Sequence, residues 1–179
     1  ISKRDGSKWE QRFRQGRPVA MLRRVGGARG TGTTVFFRPD AKIFPRTMFD
    51  AELISERLEV VSYLHKNLKV TFENQTVGRT HVFHHKDGLV DYLRRILAKR
   101  HAPQVHEVPF ALTREHEATS SRLELVLLWT ESPDEHLRSY VNGIPTGSGG
   151  THESGFRSGI GKAIRNFIDT HDLIPKGLT

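Results

Sequence analysis

The chain has 179 residues, 36% hydrophobic and 27% charged, with 28 Lys and Arg against 20 Asp and Glu for a net charge of +8. That length suits one domain, or one domain with a piece of another, and no window approaches the ~20 apolar residues of a bilayer span. Cysteine is absent, which excludes disulfides and thiolate metal sites, while the surplus of cations points to a polyanion, with nucleic acid ahead of anionic membrane and plain solubility charge as the alternative.

No charged, then apolar, then small-residue leader opens the chain. A sequence that starts on Ile1 reads as a fragment or a processed product, and its composition fits a cytoplasmic protein without a membrane partner.

Residues 8 to 39 read as strands. Lys8 to Arg14 runs into the turn Gln15-Gly16-Arg17-Pro18, and Val19 to Val25 follows. Gly26-Gly27-Ala28-Arg29-Gly30 then leads to Thr33 to Phe37, closed by Pro39. Three strands without a helix make a poor independent domain, so this stretch is expected to complete a sheet that lies outside the chain. The character changes between residues 40 and 46. Thr47 with Asp50 predicts a capping box, opening a helix whose apolar face is Phe49, Leu53, Ile54, Val60, Val61 and Leu64. Lys69 to Glu73 and Thr80 to His84 predict a hairpin. Asp87 is the expected cap of a second helix, with Leu89, Val90, Leu93, Ile96 and Leu97 inward. Strands are expected at about Val105 to Thr113, Leu123 to Thr130 and Leu137 to Ile144, before a last helix capped by Thr151. The apolar positions of that helix are Phe156, Ile160, Ala163, Ile164, Phe167 and Ile168. The second part is therefore α+β, a sheet with helices on one face, and it should fold without the first.

Two features carry chemistry in principle. Glycines in Gly147 to Gly155 precede a helix and free backbone N–H groups for an anion. The spacing matches neither a P-loop nor a dinucleotide fingerprint, so a flexible turn is the plainer reading. His81, His84 and His85 invite a metal, but His81 and His84 fall on opposite faces of a strand and no acid completes a triad, so no metal site is assigned. The last helix also has a basic flank. Stepping 100° per residue from Arg157, Arg165 falls at about 80° and Lys162 at about 140°. Its apolar positions fall between about −120° and +20°. That helix is expected to bury one flank on the sheet and to offer Arg157, Lys162 and Arg165 to DNA, with a solvated surface as the alternative.

Read together, several segments resemble the ATPase subunit of bacterial type IIA DNA topoisomerases, the B subunit of gyrase or of topoisomerase IV. They are Arg4-Asp5-Gly6, Phe13-Arg14-Gln15-Gly16, Thr31-Gly32-Thr33, Val35 to Asp40 with Ile43-Phe44, Glu56-Arg57-Leu58 through Tyr63-Leu64, and Asp87-Gly88-Leu89. The most specific is Ser139-Tyr140-Val141-Asn142-Gly143-Ile144, followed by Gly149-Gly150-Thr151-His152-Glu153-Ser154-Gly155-Phe156-Arg157. They run in family order over nearly the whole chain.

The resemblance implies that residues 1 to 42 are the last strands of a GHKL ATP-binding domain. It implies that residues 45 to 179 are most of a transducer domain, of the ribosomal S5 domain 2-like fold. Thr33 then matches a threonine lining the adenine pocket, and Arg4 an arginine at the pocket mouth, where coumarin inhibitors also bind. Gly149, Gly150, Thr151, His152 and Gly155 form the family's motif loop. The intact subunit would use ATP and Mg²⁺, dimerise, act on DNA and work with the DNA breakage-reunion subunit. The family's catalytic glutamate, magnesium-binding asparagine and lid are expected before Ile1, and its phosphate-sensing lysine beyond Thr179. The fragment itself is therefore expected to carry no catalytic residue and no tightly bound cofactor. Gln75-Thr76-Val77 lacks that lysine, Gly143 replaces the family's second asparagine, and Ser148 stands where an acidic residue is usual. The rivals are a stand-alone nucleic-acid-binding module on the same fold and another GHKL ATPase.

Overall fold

The computed structural model describes residues 1 to 173 and divides into two compact units, with the division between Asp50 and Ala51.

The first unit holds β1 (Ser2–Arg4), β2 (Ser7–Glu10), β3 (Phe13–Arg14), β4 (Arg17–Pro18), β5 (Arg23–Gly27) and β6 (Gly32–Thr33). Four of these make an antiparallel sheet in the order β5-β2-β1-β6. The β1–β2 turn is Asp5-Gly6, at φ of 50° and 68°, the left-handed pair that matches strand twist in a two-residue hairpin. This corrects the sequence reading in three places. Ser2–Arg4 is a strand and was not expected. Val19 to Leu22 is not a strand, because the Gln15-Gly16 turn closes only the two-residue β3–β4 ladder. Past Thr33 the expected strand has no ladder to join among the described residues, so Val35, Phe36 and Phe37 stand 80%, 89% and 66% exposed.

The second unit contains α1 (Ala51–Leu64), β7 (Lys69–Asn74), β8 (Arg79–His84), α2 (Leu89–Arg100), β9 (Phe110–His116), a short 3₁₀ turn (Glu117–Thr119), β10 (Ser121–Leu127), β11 (Tyr140–Val141), β12 (Ile144–Pro145) and α3 (Thr151–Thr170). It is α+β, as expected, with its strands paired as antiparallel hairpins β7–β8, β9–β10 and β11–β12. Helix α1 packs on β7–β8 and on α2, and α2 packs on β10.

Helix starts differ from the sequence reading. Helix α1 begins four residues after Thr47, with Asp50 in the place just before it, where a short acidic side chain suits the free amides. Gly88, not Asp87, is the cap residue of α2. Asp87, one residue before that cap, donates its backbone N–H to the Asp91 carboxylate at 3.0 Å, which ties the chain's entry to the first turn of α2. Gly150, not Thr151, caps α3.

Two strands also differ. The expected Val105 to Thr113 strand divides at Pro109, which has no N–H to give. Gln104 bridges Thr130 on one side, and the ladder resumes at Phe110 on the other. The expected Leu137 to Ile144 strand is the tight β11–β12 hairpin, turned at Asn142-Gly143 with φ of 51° and 79°.

The buried centre is small and aromatic. Tyr63 and Tyr92 are each 6% exposed, Leu97 8%, and Ser62 is fully buried with its hydroxyl on Glu59 O at 2.6 Å. Of the positions expected to lead the core, Leu97 is buried, while the others named for α1 and α2 are half-buried or, at Phe49 and Leu53, more than half exposed. Helix α3 departs furthest from expectation. Phe156, Ile160 and Ile168 are half-buried, Ile164 and Phe167 stay 42% and 58% exposed, and none of its residues is fully buried. The flank expected to lie on the sheet is not covered there. The helix is held by its first turns, as described below.

Gly88 is where the backbone demands glycine. Its φ is +59°, and a Cβ there would lie 2.7 Å from Lys66 Cγ and 3.2 Å from the Tyr63 carbonyl oxygen. Gly88→Ala is expected to cost about 1–3 kcal/mol, from a left-handed backbone and a clash with the Lys66 side chain beside a tight approach to the Tyr63 carbonyl. Urea unfolding of the two forms checks this. Equal midpoints would show that the turn relaxes freely.

Candidate functional site

In the first unit, cross-strand register decides which residues meet. Ser2 pairs with Thr33 and Lys3 with Gly32. Directly opposed residues share a face and alternate residues along a strand return to it, so Ser2, Arg4 and Thr33 lie on one face of the sheet. Both predicted site residues are exposed. The Arg4 guanidinium has Asp5 at 3.7 Å with both side chains largely in water, a pairing that is worth little and leaves the cation available.

In the second unit an aromatic column leads from the core to the surface. Tyr63 of α1 stacks on Tyr92 of α2 at 4.9 Å between centroids and 17° between planes, with His85 against its other face at 3.6 Å. The Arg95 guanidinium lies 5.9 Å from the Tyr63 ring centroid and pairs with Glu59. Tyr92 and Tyr140 of β11 share a 2.9 Å hydroxyl hydrogen bond, and Arg138 donates to the Tyr92 oxygen at 2.5 Å. Burial, and next the Tyr92 hydrogen bond, push the Tyr140 phenol up to about 12. Burial also holds His85 below the usual imidazole range. The predicted histidines separate: His81 lies beside Phe83, while His85 joins the column. No three His, Asp or Glu converge as a metal site among the described residues.

The motif loop is built around an acid. Glu153, in the first turn of α3, accepts from the Ser139 hydroxyl and lies 3.4 Å from Thr146 Oγ1, and Ser139 and Thr146 bond each other. His152 Nε2 is 3.3 Å from both hydroxyl oxygens. Gly149 takes a left-handed φ of +72° beside the clasp, where a Cβ would be in ordinary contact with the Glu153 carboxylate. The Gly149 amide donates to Thr146 O, and the Glu153 and Ser154 amides to Gly150 O. With a carboxylate at the helix start and these amides engaged, the loop works as a clasp between α3 and the β11–β12 hairpin. Thr151 is its first helical residue, and Gly155 faces open space.

The three predicted cations of α3 do not behave alike. Arg157 forms an ion pair with Glu135, whereas Lys162 and Arg165 have no ion pair among the described residues. Between residues 135–140 and the start of α3 lies a cleft of about 520 Å³, lined by His136, Arg138, Tyr140, Glu153 and Arg157 among others.

A family model described as DNA gyrase B matches residues 88–179, from Gly88 at the start of α2 through the clasp and α3. The chain belongs to the DNA gyrase B family. It is 32% identical to the B subunit of DNA gyrase from Campylobacter jejuni over 94% of its own length and 21% of that protein's. It is 34% identical to the B subunit of DNA topoisomerase 4 from Pseudomonas aeruginosa over 98% of its length and 28% of that protein's. Its fold matches the 43K ATPase domain of Thermus thermophilus gyrase B, solved in complex with an aminocoumarin. The TM-score is 0.79 at 30% identity, over 99% of this chain and 48% of that one. The chain thus spans 21% and 28% of the curated relatives named here.

Ser139, Thr146, Glu153, Tyr92 and Arg138 carry no functional signal of their own in the sequence. Ser139 and Glu153 stand inside the motif that marks the family, but 14 residues separate them, and no local pattern shows that they touch.

Tyr140 makes a pH prediction. Its phenol keeps its proton to about pH 12 when folded but loses it near pH 10 when unfolded. The folded chain therefore binds the extra proton between those values, and stability from this group is full below about pH 10 and lost as pH rises to about 12. Denaturant midpoints should fall over that window, less steeply in Tyr140→Phe. Parallel pH slopes for the two forms would remove Tyr140 as the cause.

Proposed function

We propose that residues 1 to 42 are the closing strands of a GHKL ATP-binding domain and that residues 45 to 179 are most of the transducer that follows it in the B-type ATPase subunit of a type IIA topoisomerase. The intact protein binds and hydrolyses ATP with Mg²⁺, dimerises as a gate, and couples closure to passage of one DNA duplex through another with the breakage-reunion subunit. The observation that carries this reading is the gyrase B match through the clasp and α3, joined to the single sheet face that holds Arg4 and Thr33. Relatives of both the gyrase and the topoisomerase IV kind match, so the reading is the activity they share, ATP-driven strand passage.

On this reading Thr33 offers a hydroxyl to the adenine edge, and Arg4 offers a cation at the pocket mouth. The second unit transmits nucleotide state as a rigid body, a role that suits the clasped joint between the β11–β12 hairpin and α3. The strands of the first unit favour this reading over a stand-alone nucleic-acid-binding module, which has no use for them. The match across the Gly149 to Phe156 segment favours it over another GHKL ATPase.

Two measurements test it. General-base chemistry needs a carboxylate within reach of the attacking water, and the resemblance puts that group outside these 179 residues. The isolated chain should release phosphate from ATP at background rate. In a polypeptide that joins this sequence to a complete GHKL domain, Thr33→Val should weaken ATP binding about tenfold. Turnover by the isolated chain after stringent purification, or no effect of Thr33→Val, overturns the assignment of the ATP site.

For α3 we infer weak, sequence-independent contact with duplex phosphates. Lys162 and Arg165 contribute more than Arg157, which Glu135 already neutralises. Replacing Arg157, Lys162 and Arg165 by Gln should lower duplex affinity and flatten its salt slope by about 0.9 for each phosphate no longer neutralised, with little change in melting temperature. Equal binding by the parent and the triple variant from low to moderate salt makes the helix surface merely solvated.

A further inference from the structure

Outside these sites, two guanidinium groups converge on one imidazole. Arg100, the last residue of α2, places Nη1 3.2 Å from His136 Nδ1, and Arg138 directs Nε at His136 Nε2 across 3.3 Å. A guanidinium only donates, and a neutral imidazole has a single acceptor nitrogen beside one N–H. In either tautomer, therefore, one guanidinium N–H faces another donor. Protonation does not relieve this: burial first, then the charges of Arg100 and Arg138, hold the His136 ring below its usual range.

The surplus charge has no local counterion. Among the described residues neither Arg100 nor Arg138 has a carboxylate within ion-pair distance. The acids beside the cleft are engaged, Glu135 by Arg157 and Glu153 by Ser139. Arg138 is also braced, since Nη1 donates to Tyr92 at 2.5 Å and the guanidinium carbon lies 5.5 Å from the Tyr92 ring centroid. The result is two cations, of which Arg138 is braced, around a group that satisfies only one, with His136 and Arg138 opening on the 520 Å³ cleft. An oxyanion has acceptors for both.

We propose that Arg100, His136 and Arg138 form a phosphate-binding site, in which one phosphate group accepts from both guanidinium groups and from the His136 ring. The chemistry is that of a phosphate oxyanion, whether from a nucleic-acid backbone or from a free phosphate or nucleotide. The site shares no residue with Arg4, Thr33 or the basic flank of α3, so it stands or falls apart from the ATPase reading.

The test follows the His136 imidazole resonances, assigned with His136→Gln, in the whole 179-residue chain. Sodium phosphate is titrated against sodium chloride at matched ionic strength, and a short DNA duplex is titrated separately. Phosphate should move the His136 signals saturably and raise the pH at which the ring titrates, because a bound anion favours the imidazolium. Arg100→Gln, at a helix end remote from the Tyr92 hydrogen bond, should raise the half-saturating concentration about tenfold. Arg138→Gln should do the same, with the tyrosine resonances reporting whether the column is intact. Lys162→Gln with Arg165→Gln should leave the response unchanged. If the duplex moves the same resonances at lower concentration than inorganic phosphate, the source is a nucleic-acid backbone. If inorganic phosphate alone moves them, it is a free phosphate or nucleotide. Chloride acting as strongly as phosphate, or an Arg100→Gln response equal to the parent's, overturns the site.

Discussion

The second unit depends on the face-to-face contact of Tyr63 and Tyr92. Aromatic rings bury more area than other side chains and add a stacking preference of about 0.5–1.5 kcal/mol, and here they are two of the three buried hydrophobic residues described. With so little buried surface elsewhere, this stack fixes how α1 lies against α2. It also sets the position of everything attached to its two ends. At one end His85 covers Tyr63, and Gly88 lets the chain turn beside the Tyr63 carbonyl into α2. At the other, the Tyr92 hydroxyl holds Tyr140 and Arg138 and thereby seats the β11 hairpin.

The family's sequence motifs take on a physical meaning along this column. The segment ending in Tyr63-Leu64, the Asp87-Gly88-Leu89 turn and the Ser139-Tyr140 strand are far apart in sequence, yet each supplies one piece of the same contact path. The next motif, Gly149 to Gly155, continues the path through Ser139 and Glu153 into the first turn of α3. Packed rings and hydrogen bonds thus run from α1 and α2 through the β11–β12 hairpin to the first turn of α3.

Charge is distributed unevenly along the same path. Glu59, Glu135 and Glu153 are each engaged close to the column or the clasp. Arg100, Arg138, Lys162 and Arg165 are left without carboxylates among the described residues. Part of the net charge of +8 is thereby concentrated near the cleft and along one flank of α3.

The amino-acid sequence by itself determined the elements with strong local signals. The β7–β8 hairpin and the apolar stripes of α2 and α3 follow from periodicity, and a change of character between residues 40 and 46 lies close to the division of the two units after Asp50. Local chemistry also contained the Asn142-Gly143 turn, a left-handed pair that favours a hairpin, inside the stretch whose apolar pattern alone suggests one longer strand. Only the tertiary structure decided the rest. Whether Thr33 shares a face with Arg4 is a matter of register between strands about thirty residues apart in the chain, and register is invisible to a pattern read one strand at a time. Whether an apolar stripe is buried depends on what covers it, so α3 shows the periodicity of a core helix while Phe167 stays more than half exposed. The Ser139–Glu153 clasp and the Arg100–His136–Arg138 cluster join side chains distant in the chain. A sequence specifies such contacts only through the fold that brings them together.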